Sequence, residues 1–234
     1  MSRLGAWVRR ALWDVVPRDH QESRLDLRRR QLVTLAVVVV GATVLGFSLR
    51  LDPGSRSFYP ATLALAAVWL VGAFASGPLH LGRITAGRGT SRPVLPPIVL
   101  GLALAGVFVA GAFLVRTLDL LDGLEGQVVH VVDYADQGSV PLLAVVTTVN
   151  GVAEELFFRG AAYAAITVHP VLWTTLAYGV ATAATGNIML TFAAVCLGLV
   201  VGLERRASGG VLAPMLTHCT WSLAMLLALP VVFS

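Results

Sequence analysis

Lysine is missing altogether: every one of the 17 basic residues is arginine, against 13 acids and five histidines in 234 residues. This reads as codon composition rather than chemistry. Charge of either sign is scarce, at 13% of residues, while 56% are hydrophobic, which excludes an ordinary soluble domain. Cysteine is nearly absent too. Cys196 and Cys219 both fall inside apolar runs, with no CxxC or Cys/His spacing, so they read as small buried hydrophobes. That excludes a disulfide scaffold and a structural zinc module. No internal repeat or low-complexity stretch is present, which excludes a solenoid. The net charge of +4 gives no case for nucleic acid, because the arginines gather where membrane topology explains them.

What is there is a series of long, almost uncharged runs, several of them exceeding the ~18 residues a bilayer-crossing helix needs. The fold expected is all-α: a polytopic transmembrane helix bundle of about seven crossings, preceded by an interfacial helix. Residues 1–30 hold eight arginines against four acids, and Leu4, Trp7, Val8, Ala11, Leu12 and Val15 recur at helical spacing. That pattern predicts a basic cytoplasmic helix lying on anionic lipids and ended by Pro17, with a disordered basic tail as the alternative. No signal peptide is read, since no apolar core follows these charges until after Arg28-Arg29-Arg30.

The transmembrane domain, 31–234, begins with a span at Leu32–Leu49, and the triple arginine before it puts the N-terminus in the cytoplasm. A turn with Pro53-Gly54 leads to a second span at about Phe58–Gly77, and a return loop carrying Arg83, Arg88 and Arg92 to a third at about Val94–Val115. Residues 116–139 turn acidic and amphipathic, as expected of an external loop lying along the surface. His80 and His130 read as solvated or structural, without a ligand pattern. The remaining spans are Pro141–Val168, a short one from Val171 to about Thr185, Ile188–Leu203 and Gly210–Phe233. His169-Pro170, Gly186-Asn187 and Glu204-Arg205-Arg206 mark the ends between them. A bacterial plasma membrane is the expected location.

The fourth span carries the chemistry. Within it stand Glu154, Glu155 and Arg159, at a depth where charge is costly and therefore by default functional. Glu155 and Arg159 are four apart and share a helical face, which suits a charge-assisted pair. Glu154 is turned about 100° away, so one acid is held by the guanidinium and the other is left to act on water. A purely architectural Glu-Arg lock accounts for Glu155 and Arg159 but leaves Glu154 unexplained.

The run Ala153-Glu154-Glu155-Leu156-Phe157-Phe158-Arg159-Gly160 resembles the EExxxR signature of the CAAX-protease and bacteriocin-processing family of intramembrane proteases. In the last span, Pro214 followed by His218 and Ser222 is similar to the family's HxxxN or HxxxD motif, with serine in the final place. Tyr178-Gly179-Val180-Ala181-Thr182, trailed by Asn187, occupies the position of its FxxxH motif, with threonine where the histidine belongs. The resemblance covers about residues 141–222. It implies Glu154 as general base, Glu155 and Arg159 as its support, and His218 with Ser222 beside the oxyanion. Thr182 can hydrogen-bond to water but cannot take a proton near neutrality.

The expected activity is a glutamate-dependent intramembrane endopeptidase, weakened by Thr182, acting on a membrane peptide or lipidated protein. The alternative is an inactive relative that binds such a peptide or a membrane partner protein. A proton-coupled transporter is a third class, weaker because the chain lacks an inverted repeat. No cofactor is expected, and no tightly held zinc, because Glu154 and His218 are the only strong ligands to spare. A Ser-His-Asp arrangement is not read either: Ser222 follows His218 by one turn, but no orienting acid stands in their span.

Overall fold

The computed structural model describes residues 2–17, 22–48, 57–86, 89–117, 126–129 and 139–233. The elements are α1 (Arg3–Leu12), α2 (Arg24–Ser48), α3 (Phe58–Ser76), a hairpin of β1 (Ile84–Ala86) and β2 (Gly89–Ser91), and α4 (Leu95–Thr117). Then follow α5 (Val140–Ala165), α6 (Pro170–Ala183), α7 (Ile188–Ser208) and α8 (Leu212–Phe233). Six of them, α2, α3, α4, α5, α7 and α8, are long and apolar enough to cross a membrane. The all-α polytopic bundle is therefore what the chain builds. The short span expected after Val171 is α6, whose 14 residues rise about 21 Å and fall short of the ~30 Å hydrocarbon core. The Pro53-Gly54 turn, His130 and nearly all of the acidic 116–139 loop lie outside the described residues.

Apolar side chains such as Leu35, Phe74, Val107 and Val180 stand exposed around the periphery, the distribution that a lipid solvent favours. The centre is aromatic. Trp69 of α3 is 1% exposed, stacks on Phe157 at 4.9 Å and meets Phe158 at 5.1 Å. Close approach here depends on glycine: a Cβ on Gly41 of α2 would come within 2.1 Å of the Trp69 ring.

At one end of the bundle the chain departs from the sequence reading. The triple arginine before the first span, Arg28-Arg29-Arg30, belongs to α2, and Arg30 is turned inward, 1% exposed. It pairs with Glu22 through two nitrogens and donates to Ser76 Oγ and the Pro78 carbonyl, both at 3.3 Å. Glu204 and Arg205, expected at a solvated span end, are 1% and 6% exposed. Residues 80–83 form a strap beside the end of α7, with Arg83 N–H to Ser208 O at 2.8 Å and Val211 N–H to His80 O at 2.9 Å. Arg205 itself is turned inward onto the Arg159 carbonyl and the Tyr163 ring.

The N-terminal helix forms as its spacing predicts, capped by Ser2 Oγ, which accepts from Gly5 N–H at 3.1 Å. Ala11 and Leu12 are buried, and Val16 beyond the helix donates to Ala207 O at 3.0 Å, so the segment docks on α7. Leu4 and Val15 of the expected stripe remain exposed.

Candidate active site

Three helices bring the site together. On α5 the α-helix runs to Glu155 and is followed by a π-helical turn over Leu156–Ala162, before a last α-helical turn at Tyr163–Ala165. Such wide turns cluster at functional sites because they re-aim side chains. Here the turn buries Phe157, Phe158 and Arg159 completely, the aromatics against Trp69. Arg159 Nη1 still donates to Glu155 Oε1 at 3.0 Å, so the expected pair forms.

His218 arrives on α8 beside Gly151, where a Cβ would make ordinary contact 3.6 Å from the imidazole ring. Its Nδ1 lies 2.8 Å from the same Glu155 Oε1. A carboxylate already paired with arginine can only accept, so Nδ1 carries the proton and Nε2 faces the other way. Nε2 is 4.0 Å from Glu154 Oε2. That is too long for a direct hydrogen bond. The two glutamates therefore take different partners: Glu155 is fully buried between Arg159 and His218, while Glu154 keeps 14% of its side chain exposed.

Helix α6 supplies the third wall. Tyr178 Oη donates to Glu154 Oε2 at 2.7 Å, and Arg159 Cζ lies 4.9 Å from the Tyr178 ring centroid, a cation-π contact. Thr182, one turn on, spends its hydroxyl on the Tyr178 carbonyl at 2.9 Å. It does not replace the missing histidine by bonding to Glu154. Ser222 makes no side-chain hydrogen bond to a described residue. The orienting acid absent from the last span is supplied across the bundle by Glu155, but Ser222 does not join His218 to complete a triad. Asn187 is no part of the site either. It caps α7 through Leu190 N–H at 2.9 Å and reaches Gln127 O at 2.9 Å.

The arrangement thus brings together Glu154, Glu155, Arg159 and His218, with Thr182 behind Tyr178 and Ser222 apart. Two contributors were not read from the sequence. The Tyr178 hydroxyl is one, on a residue that stands where the resembled motif has phenylalanine. The other is Arg205, whose Nε donates to the Arg159 carbonyl at 2.6 Å and whose guanidinium lies 4.8 Å from the Tyr163 ring. A buried arginine beside a motif of another helix leaves no sequence signal beyond its cost. Among the described residues no three His, Cys, Asp or Glu side chains converge as a metal site.

A family profile described as "Type II CAAX prenyl endopeptidase Rce1-like" matches residues 136–224. The core of the chain is Rce1-like. The matched stretch holds all of α5 and α6 and every residue of the site, from Glu154 to Ser222. This is the same family that the EExxxR run resembles, and the six long apolar helices are those of an integral membrane protein. The Rce1-like segment excludes α1 to α4, so Trp69, Arg30 and Glu22 lie outside it. Neither the curated proteins nor the solved structures yield a match to the chain.

Proposed function

We propose that the protein is an intramembrane endopeptidase in which Glu154 activates water against a peptide carbonyl of a lipidated or membrane-inserted substrate. The carrying observation is the division between the two acids, Glu155 consumed by Arg159 and His218, and Glu154 facing His218 Nε2 across 4.0 Å. An oxygen atom hydrogen-bonded to both groups can bridge that distance.

In this reading Glu154 takes a proton as the water oxygen bonds to the carbonyl carbon. The tetrahedral oxyanion accepts a hydrogen bond from His218 Nε2 when the ring is doubly protonated. The proton held by Glu154 then passes to the amine as the C–N bond breaks, leaving a carboxylate and an amine. Ser222 is placed one turn from His218 to contact substrate rather than the resting site. We further propose that the N-terminus is cytoplasmic in a bacterial plasma membrane, with the exposed arginines of the N-terminal segment, Arg9 and Arg10 among them, on anionic lipid.

Purified protein in lipid nanodiscs is incubated with a quenched-fluorescence peptide ending in farnesyl-cysteine and three further residues, beside its unprenylated form. Cleavage lost in Glu154→Gln supports the reading, and equal cleavage by that variant overturns it. The Thr182 hydroxyl turned to its own helix favours a second reading, a binding protein without turnover. Peptide retained by both proteins with cleavage by neither would select it.

A further inference from the structure

Tyr178 is 8% exposed, and its surroundings fix it more tightly than the packing of one aromatic ring requires. The ring lies 5.0 Å from Phe158 and within cation-π distance of Arg159, and it meets the His218 ring edge-on at 6.3 Å. Its backbone carbonyl holds the Thr182 hydroxyl. The phenolic oxygen stands at the one place in the site where the resembled motif carries only a phenylalanine edge.

We propose that the Tyr178 hydroxyl is the positioning group for Glu154, filling in this chain the role left open where Thr182 replaces a histidine. The inference rests on Glu154 being the base. A phenol cannot accept a proton from a carboxylic acid near neutrality, but it is a good donor to a carboxylate. By donating to Oε2 at 2.7 Å it holds one oxygen, sets the rotation of the carboxyl group, and leaves Oε1 and the second lone pair of Oε2 for water and His218. The ring has a second effect. By lying over the Arg159 guanidinium it packs in place the cation that donates to Glu155. Phenylalanine would retain the second effect and lose the first.

The full chain in nanodiscs is compared as parent, Tyr178→Phe, Thr182→His, the Tyr178→Phe/Thr182→His double variant, and Glu154→Gln. With the farnesylated peptide, Tyr178→Phe should lower kcat about 10–100-fold, the scale of a lost orienting contact to a catalytic base, with KM within about twofold. The double variant restores the Phe-x-x-x-His pattern on one helical face and should recover roughly tenfold of that loss, which a merely structural tyrosine would not permit. Tyr178→Phe as fast as the parent, beside an inactive Glu154→Gln, overturns this inference and leaves the proposed function standing. A fully active Glu154→Gln overturns the proposed function itself.

A readout independent of turnover covers a parent that cleaves no peptide offered. The tyrosine Raman doublet near 850 and 830 cm⁻¹ reports whether the phenol donates, and the parent-minus-Tyr178→Phe difference isolates this ring among the four tyrosines. The ratio should mark a strong donor in the parent and shift in Glu154→Gln. A ratio identical in the two refutes the contact.

Discussion

Of the arginines buried among the described residues, Arg30 and Arg159 are treated oppositely. Arg30, at the end of α2, has every nitrogen engaged: Nε and Nη2 by Glu22, Nη1 by Ser76, and Nη2 also by the Pro78 carbonyl. Arg159, inside the Rce1-like core, has one hydrogen bond, through Nη1, while Nε and Nη2 are buried with no protein partner and Glu155 Oε2 is likewise unpaired. Burying an arginine is tolerable only if its donors are satisfied, so the first case is a structural clasp that ties α2, Glu22 and the strap after α3 together. The second carries unmet hydrogen-bonding capacity that a folding requirement alone would have removed. The lesson is that a fully satisfied ion pair marks architecture here, and a deliberately underspent one marks the site. Room at Arg159 is held open by Gly198 of α7, where a Cβ would lie 3.0 Å from Nη2.

This contrast can be broken at several points. The largest effect should come from Glu154→Gln, which keeps shape and removes the base: cleavage should fall by about 10²–10⁴-fold with unfolding unchanged, measured by peptide fluorescence beside a thermal melt. Next, Arg159→Met should destabilise the bundle by about 3–5 kcal/mol in mixed-micelle unfolding, because Glu155 is left buried and unneutralised. Adding Glu155→Gln should return part of that loss, and failure to do so would mean that packing, not charge, dominates. Arg30→Met should cost less, about 1–3 kcal/mol, since Glu22 is part-exposed and water can take over one side of the pair. Its kcat among folded molecules should match the parent; a large drop in kcat would erase the distinction drawn between the two arginines. Smallest is Thr182→Val, which removes only a hydroxyl bonded within its own helix and should shift stability by no more than about 0.5–1 kcal/mol, with cleavage unaltered.

The sequence carried the fold further than the site. Apolar runs of bilayer length and their arginine flanks mark five of the long helices closely, because span length is a physical requirement that composition cannot hide. The Glu155–Arg159 pair was legible for the same kind of reason, the four-residue periodicity of a helix. Contacts between helices were not. Nothing in the local pattern at Tyr178 announces that its hydroxyl ends 2.7 Å from Glu154, 24 residues earlier. Nor could the runs foretell that Arg30 and Arg205 turn inward, since charge at a span end is ordinarily solvated and its partners here come from distant segments. The hairpin at 84–91 was hidden in a loop rich in glycine and arginine, where three-residue strands leave no alternation to read.

The wide turn over Leu156–Ala162 has a consequence for how this chain tolerates change in length. It holds one residue more than a regular helix of the same rise would, so it is a store of slack placed immediately after the two acids. Removing one residue from Leu156 to Phe158 would let the backbone relax into ordinary helical winding, with a gain in local regularity and no gap in the chain. The cost would fall at Arg159, which would stand three residues after Glu155 instead of four and so turn off its carboxylate, while the helix beyond the turn kept its place. A shortening that looks harmless by helix propensity would thus unpair the centre, whereas the same deletion near the start of α5 would be felt in the Leu143–Phe58 packing there.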